Sequence, residues 1–148
     1  MREASRPEVV IASPLLRVAA FLIDALILVG INLVVIGSLG GISERDAFIV
    51  TTVVGTVYHI GFVTARSATP GKMIVGTRIC DREGNALRPD TAILRYLAFL
   101  IGNAILVGTL VSLVLLVTDP RRRTVHDRVA GTLVVMAPRP AEDAGPRF

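Results

Sequence analysis

The stretch Val18–Leu39 reads VAAFLIDALILVGINLVVIGSL, an apolar run that contains a single carboxylate, Asp24. About 20 apolar residues suffice for a helix to cross the hydrocarbon core of a bilayer, so the run predicts a membrane-spanning helix. An acidic side chain at the centre of such a helix costs at least about 2.5–3.5 kcal/mol. We therefore expect Asp24 to face a polar partner or to have a functional role.

Two further apolar segments, Ala47–Ala65 and Tyr96–Val117, follow in the 148-residue chain, of which 52% is hydrophobic. The first run is longer than the roughly 7–15 apolar residues of a secretory signal, so we interpret it as a span. The predicted fold class is an all-α membrane protein with three hydrophobic segments, the third a candidate for a broken or re-entrant segment. A short surface β element completes it.

The chain divides into three parts by composition. Residues 1–14 form a polar, proline-containing arm, which we expect to be disordered or to lie on the surface. Residues 15–137 form one membrane domain. Residues 138–148 mix prolines, acids and arginines without periodicity, and we expect this tail to be disordered because it has little apolar surface to bury.

Composition argues against several other classes of protein. The single cysteine, Cys80, excludes an internal disulfide and fits a small strand residue. It has no second soft ligand nearby, so we expect neither a metal site nor a cofactor. The basic excess is almost all arginine and flanks the spans, which is typical of contact with anionic lipid headgroups. Nucleic-acid binding is not expected, because no basic helix carries interleaved aromatic residues.

The distribution of basic residues contains a conflict. The loop Gly40–Asp46 has one cation, Arg45, whereas Arg66–Asp90 has five and the segment after Thr118 has six. Basic residues mark the cytoplasmic side, so the first loop is predicted outside and Arg66–Asp90 inside. Three straight crossings then place the arginine-rich tail outside, against the same rule.

Two interpretations resolve this conflict. Either the tail is external, or the segment Thr91–Thr118 is not one straight crossing. Gly102-Asn103 and Gly108-Thr109 are candidate breaks, and non-helical backbone is tolerated at membrane depth where protein covers it.

Two short segments favour the bent interpretation. Met73–Cys80 (MIVGTRIC) and Thr132–Met136 (TLVVM) are rich in β-branched residues, and each is followed by turn or breaker residues. They predict short strands that pair at the membrane surface. Pairing requires both strands on one side, so we favour a cytoplasmic tail.

Three motifs occur in order along the chain: RVAAFLID at Arg17–Asp24, TPGKMIVG at Thr69–Gly76 and RTVHDRVAGT at Arg123–Thr132. With them the chain resembles the RDD family of small bacterial membrane proteins, which is named for one arginine and two aspartates. The resemblance extends over roughly Leu15–Val135.

The resemblance assigns the family arginine to Arg17 and the two aspartates to Asp24 and Asp127. The function of most members is not known, transport is suspected, and some members are linked to sodium/proton exchange. The resemblance thus implies a membrane protein more firmly than it implies an activity.

Three polar residues share one predicted depth in the membrane. A helix rises about 1.5 Å per residue, so each polar residue lies about 10–12 Å along its helix from a basic residue of the same segment. The three depths are equal if these basic residues lie at one membrane interface. The three polar residues are Asp24 after Arg17, His59 before Arg66 and Asn103 after Arg95.

This layer has two interpretations. As a path for protons or monovalent cations, it uses Asp24 as the group that changes protonation, His59 as its partner or relay and Asn103 as a neutral ligand. As a structural layer, it joins helices by hydrogen bonds worth about 0.6–2 kcal/mol each.

Arg17 is a poor direct partner for Asp24. The two lie almost two turns apart on one face, and helical side chains lean towards the N-terminus, so Arg17 leans away. We expect its side chain to extend to the lipid headgroups.

Asp127 lies outside the apolar segments, beside His126 and Arg128. We expect it to cap the backbone around residues 130–132, or to pair with Arg128 or Lys72. Lys72 is otherwise expected to contact lipid headgroups.

A His-Asp pair indicates catalysis only with a nucleophile and a pocket. Thr124 and Ser67 are poor candidates for that nucleophile, so we do not expect an enzyme. A clasp between the C-terminal segment and the membrane domain is the preferred role of Asp127.

Small residues in the second segment, among them Gly55 and Gly61, permit close helix packing, and so few spans can hardly enclose a pathway. We therefore expect a homo-oligomer or a partner membrane protein. The first functional hypothesis is a transport-linked, multi-pass protein of the inner (cytoplasmic) membrane that exchanges cations for protons. The second is a non-transporting accessory or scaffold protein that binds lipid or a partner membrane protein.

Overall fold

The computed structural model describes residues 10–104 and 106–138, without the side chains of residues 103, 104 and 106. It contains six helices and two strands in these ranges. In chain order they are α1 (Pro14–Ser38), α2 (Glu44–Arg66), α3 (Pro70–Ile74), β1 (Thr77–Cys80), α4 (Pro89–Ala104), α5 (Leu106–Thr118), α6 (Val125–Ala130) and β2 (Leu133–Met136). The structure is thus mostly helical, as predicted.

Helices α1 and α2 are both long and apolar enough to cross a membrane. Ser13 begins α1 by accepting a hydrogen bond from the backbone N–H of Leu16 at 3.3 Å, and Pro14 follows at the first helical position. Most of their apolar surface faces outward, as shown by Leu26 at 73% and Leu33 at 70% exposed. This outward apolar surface suits lipid contact and leaves the core of the protein elsewhere.

The third apolar segment is bent, which confirms the expectation of a broken or re-entrant segment. Helices α4 and α5 together meet the criteria for a span, but their axes differ by 116°. Gly108 packs directly on the backbone of Gly102, where an added Cβ atom would lie 2.8 Å from the Cα atom of Gly102. The absence of a side chain at Gly108 therefore allows the two helices to meet closely at the bend.

The predicted strand pair is present. Strands β1 and β2 are antiparallel, with Thr77 opposite Met136 and Cys80 opposite Leu133. The first strand begins later than the predicted Met73, because Pro70–Ile74 forms helix α3 instead. Cys80 is fully buried in β1, as expected of a small strand residue.

Part of the N-terminal arm joins this sheet. The backbone N–H of Ala12 donates to the carbonyl of Val134 at 3.0 Å, and that of Met136 donates to the carbonyl of Val10 at 2.8 Å. Residues 10–13 are thus hydrogen-bonded and not disordered. Val10 lies on the surface, which is one of the two expectations for the arm, whereas Ala12 is buried. The rest of the predicted arm and the predicted disordered tail fall on residues 1–9 and 139–148, outside the described residues.

The core lies at one end of the long helices. Ala12, Val63, Ile79 and Val134 form a buried apolar cluster there with Leu87 and Ala92. We refer to α3, β1, α6 and β2 together as the cap. The cap packs on the N-terminal parts of α1 and α4, so charged side chains from distant parts of the sequence meet beneath it.

Candidate functional site

An ion triad centred on Asp127 joins the cap to α1 and α4. The Asp127 carboxylate in α6 is completely buried and pairs with the guanidinium groups of Arg17 in α1 and Arg95 in α4. Each arginine contacts a different carboxylate oxygen. The side chains of both arginines are only 8% exposed, so all three charges are withdrawn from water.

Further hydrogen bonds complete the triad. The backbone N–H and the hydroxyl of Thr124 donate to Asp127 Oδ2 at 2.9 and 2.8 Å, which also caps the start of α6. Arg95 donates to the hydroxyl of Thr132 as well. Burial alone would raise the pKa of Asp127, but the charges of Arg95 and Arg17 outweigh it and hold this pKa well below its usual range. The carboxylate is therefore ionised at neutral pH.

This geometry corrects two expectations. Arg17 does not extend to the lipid headgroups, because it pairs with Asp127 and donates to the backbone carbonyl of Arg122. Asp127 forms an ion pair with neither Arg128 nor Lys72 among the described contacts, because α6 directs its carboxylate towards α1 and α4. Asp127 does connect α6 to other parts of the protein, but the cations that it pairs with are Arg17 of α1 and Arg95 of α4.

Arg128 pairs instead with Asp119, at 2.6 Å. Asp119 also accepts from the backbone N–H of Arg123 at 2.9 Å and forms an ion pair with its side chain at 3.2 Å. These contacts hold the turn between α5 and α6. Arg128 thus supports the approach to α6 and does not itself contact Asp127 through an ion pair.

Arg95 is one of the site residues that the sequence pattern does not reveal, as is Tyr58. In the depth count, Arg95 marks only the interfacial end of the third segment. In the structure it is buried, with only 7% of the residue exposed. The available signal was an arginine followed directly by the apolar run of the third segment, because a charge at such a position usually has a buried partner.

Asp24 holds the first turn of α3 against α1 and α2. Its carboxylate accepts hydrogen bonds from the Tyr58 hydroxyl at 2.7 Å, the Thr69 hydroxyl at 2.5 Å and the backbone N–H of Gly71 at 2.8 Å. A Cβ atom at Gly71 would lie 2.8 Å from Asp24 Cγ and overlap the carbonyl oxygen of Ala20. The Thr-Pro-Gly motif therefore supplies two donors and the space that they need.

His59 is not a hydrogen-bond partner of Asp24. Its Nδ1 atom lies 3.1 Å from the carbonyl oxygen of Gly55 in the same helix, and its ring stacks on Tyr96 and Phe99. Tyr58, one position earlier, supplies the donor from α2, because neighbouring residues on a helix face different directions. Asn103, the third predicted member of the layer, has its side chain outside the described part of the structure.

A polar cavity of about 70 Å³ nevertheless brings four of the predicted site residues together with Arg95. Asp24, His59, Lys72, Arg95 and His126 all line it. This cavity is large enough for a few water molecules, because one water molecule needs about 10–15 Å³ of cavity volume. Within residues 10–104 and 106–138, no cluster of three or more His, Cys, Asp or Glu residues is arranged to hold a metal ion.

Lys72 and His126 are the titratable residues of this cavity that lie outside the spans. Shielding from water and the charge of Arg95 lower the pKa of Lys72 to about 8. The same two causes lower the pKa of His126 to about 3. His126 is therefore neutral at pH 7, and the ammonium of Lys72 loses its proton within reach of neutral pH.

Lys72 is linked to Asp24 through one hydroxyl. Its Nζ atom donates to Thr69 Oγ1 at 3.4 Å, and the same hydroxyl donates to Asp24. A change in the charge of Lys72 is thus transmitted to the Asp24 carboxylate over a short hydrogen-bonded path.

Comparison with known families places these features in context. The sequence model of the RDD family matches residues 11–131. This chain belongs to the RDD family. The family is made of small membrane proteins, and the two long apolar helices agree with that, so this RDD protein is a membrane protein.

Comparison with curated proteins and with solved structures gave no match. The structure instead assigns a physical role to each of the three RDD positions. Arg17 and Asp127 form an ion pair across 110 positions of sequence, and Asp24 anchors the start of α3.

We predict that Asp127→Asn lowers the free energy of unfolding by about 3–5 kcal/mol, because it leaves two buried guanidinium groups without a counter-charge. Unfolding in mixed micelles measures this loss. Arg88→Gln is the matched control, because it removes an exposed ion pair with Asp90 and should cost less than about 1 kcal/mol. Equal losses in the two variants would contradict a buried triad.

We predict that His126 makes stability depend on pH. An unfolded histidine titrates near pH 6.5 and this one near 3 when folded, so the unfolded chain binds more protons between these values. Stability contributed by the neutral imidazole is then present above about pH 6.5 and falls by about 1.4 kcal/mol per unit below it. His126→Gln should flatten the stability curve between pH 6.5 and 4. Parallel curves for the two proteins would contradict this prediction.

Proposed function

We propose that this RDD protein is transport-linked and exchanges a monovalent cation for protons. The observation that carries the proposal is the polar cavity, which both the Asp24 carboxylate and the Lys72 ammonium line. A transporter of this kind needs a carboxylate that binds a cation and a neighbouring group that changes its charge. Asp24 is the candidate for the carboxylate, and Lys72 is the candidate for the group that changes its charge.

The chemistry of the exchange follows from competition for Asp24. Carboxylate and hydroxyl oxygens suit hard cations, and the cavity offers both from Asp24 and Thr69. When Lys72 is protonated, its charge repels a cation from the cavity. When Lys72 releases its proton, that repulsion is lost, so cation binding and proton release are coupled.

The pKa of Lys72, at about 8, suits this role. An ordinary lysine titrates near pH 10.4 and keeps its proton throughout the physiological range. The lowered pKa allows proton exchange near neutral pH. His59 lines the same cavity and is the candidate relay, while Arg95 helps to keep the pKa of Lys72 low.

The proposed location is the inner (cytoplasmic) membrane, with α1 and α2 as crossings and α4–α5 as a re-entrant pair. The cap, the short loops beside it and the N-terminal end of α1 then share the cytoplasmic side. Basic residues prefer that side and attract anionic lipid headgroups there. This arrangement removes the conflict in the distribution of arginines.

A complete pathway needs more surface than one copy supplies. Two crossings and a re-entrant pair do not surround a channel, so we propose a homo-oligomer or a complex with a partner membrane protein. The outward face of α2 includes Gly61 and Ala65 beside a groove next to α1. Small residues allow helices to approach closely, which makes this groove the proposed contact.

A second candidate function is that of an accessory or scaffold protein without transport of its own. Asp24 accepts three hydrogen bonds from α2, α3 and the residue before α3, which favours a fixed clamp. The protein would then act by holding lipid or a partner membrane protein. In both cases we propose a role without catalysis. The Thr124 hydroxyl lies 2.9 Å from His126 Nε2, but it donates its proton to Asp127 Oδ2 at 2.8 Å as part of the cap at the start of α6.

Proton flux in proteoliposomes tests the transport proposal. We predict sodium- or potassium-driven proton flux for the wild type and at least a tenfold loss for Asp24→Asn, which keeps the shape of the side chain but removes the charge that binds a cation. Asp90→Asn is the matched control, because Asp90 is exposed and distant in sequence from the cavity residues of α1 and α3. A stability measurement confirms that each variant is folded.

The outcomes of this experiment separate the candidates. Absence of flux at every pH for the folded wild type would remove transport and leave the scaffold function. Flux that is equal in wild type and Asp24→Asn would retain transport but exclude Asp24 from its mechanism.

Cysteine labelling tests the proposed topology. We predict that a membrane-impermeant thiol reagent reaches Arg88→Cys and Arg121→Cys from the same side and Leu39→Cys from the other, because α4–α5 turns back. The unmodified chain is the control, since its Cys80 is completely buried. Labelling of Arg121→Cys from the side of Leu39→Cys would indicate a straight third crossing.

A further inference from the structure

A second, larger cavity lies between α1, α4, α5 and the cap. Its volume is about 360 Å³, within the range of about 300–1,000 Å³ that is typical of sites for small molecules. We call it the lateral cavity. Residues of α1 and of both helices of the bent pair α4–α5 line it.

The walls of the lateral cavity are apolar. Their apolar side chains are Phe21 and Leu22 of α1, Phe99 of α4, and Leu113 and Leu116 of α5. Phe21 and Leu22 are each 55% exposed and Leu113 is 50% exposed. Because these helices turn their outer faces to the bilayer, the walls are accessible from the hydrocarbon region.

One end of the lateral cavity is cationic. Arg17, Lys72 and Arg95 line it there, beside Thr124 and His126. No acidic residue is among the described residues that line the cavity. The cavity is therefore amphiphilic, with positive charge at the cap and apolar walls along the spans.

The charges at this end are not balanced within the protein. Arg17 and Arg95 share the single carboxylate of Asp127. Lys72 donates to the Thr69 hydroxyl and forms no ion pair with a described carboxylate. Even with Asp24 counted, three cations face two carboxylates, and one positive charge remains.

A positive charge that is shielded from water attracts an anion. The cavity supplies hydrogen-bond donors for that anion at the same end, from Lys72 and the arginines. A free phosphate would leave the apolar walls unused, and a zwitterionic headgroup would bring its own cation next to Lys72. An anionic headgroup attached to an acyl chain satisfies both parts of the cavity.

We propose that the lateral cavity binds an anionic phospholipid, with its phosphate at the cationic end and one acyl chain along the apolar walls. Basic pockets between membrane helices recognise lipid headgroups in this way. The site goes beyond the proposed transport and does not depend on it. A bound lipid would also close the gap between α1 and α5.

Lipid retention by the purified wild-type protein tests this proposal. Native mass spectrometry compares phosphatidylglycerol with phosphatidylcholine of the same acyl chains, added to protein in a neutral detergent. We expect one phosphatidylglycerol per chain to be retained about tenfold more strongly, because the choline cation of phosphatidylcholine is repelled by the residual positive charge of the cavity. Equal retention of the two lipids would overturn the proposal.

Three variants locate the site. Lys72→Gln should lose the tenfold preference, whereas Arg88→Gln, which removes the same charge from an exposed position, should keep it. Ser112→Phe fills the cavity without a change of charge and should weaken retention of phosphatidylglycerol even if Lys72→Gln does not fold. Equal effects of Lys72→Gln and Arg88→Gln, or full retention by folded Ser112→Phe, would overturn the assignment.

Two soluble probes identify the part of the lipid that matters. Glycerol phosphate carries the anionic headgroup without a chain, and palmitate carries a chain with a carboxylate. We expect neither to displace phosphatidylglycerol at equal concentration. Displacement by glycerol phosphate would indicate a plain anion site, and displacement by palmitate would indicate a fatty-acid site; each would overturn a phospholipid site.

Discussion

The ion triad of Asp127 with Arg17 and Arg95 is the interaction on which the rest of the structure depends. It joins α1 to α6 and α4, which pack closely on each other, whereas the leucines and valines of α1 mostly turn outward. In a bilayer, apolar side chains gain little by leaving lipid for protein. Buried charges and hydrogen bonds at the cap therefore carry a larger share of the specificity of the fold than they do in a soluble protein.

Asp24 holds the other part of the cap, helix α3, to the long helices in the same way. Its three donors come from Tyr58, Thr69 and Gly71, so α1, α2 and α3 meet at one carboxylate. The family arginine and the two family aspartates thus form two anchors at one end of the helices. Burying two carboxylates near the membrane costs free energy. Hydrogen bonds from backbone N–H groups offset part of this cost, since Asp24 accepts one at the start of α3 and Asp127 accepts one at the start of α6.

The two cavities arise from this arrangement and share Lys72. The polar cavity places the Lys72 ammonium beside Asp24, which is the basis of the proposed cation/proton exchange. The lateral cavity exposes the same ammonium to the space between α1 and α5, which is the basis of the proposed lipid site. Both proposals involve the charge of Lys72, so occupancy by an anionic lipid would raise the proton affinity of Lys72 and shift any exchange to higher pH.

The sequence alone determined the elements whose signals are local. Apolar length predicted the spans, Gly102 and Gly108 predicted the break, and the β-branched runs predicted the strand pair that includes Cys80. The depth count brought Asp24 and His59 to one cavity, but it chose His59 over Tyr58 as the hydrogen-bond partner because it carried no information on helix rotation. The partners of Asp127 lie 110 and 32 positions away. Only the tertiary structure decided them, because the direction of a short helix such as α6 is set by how the whole cap packs.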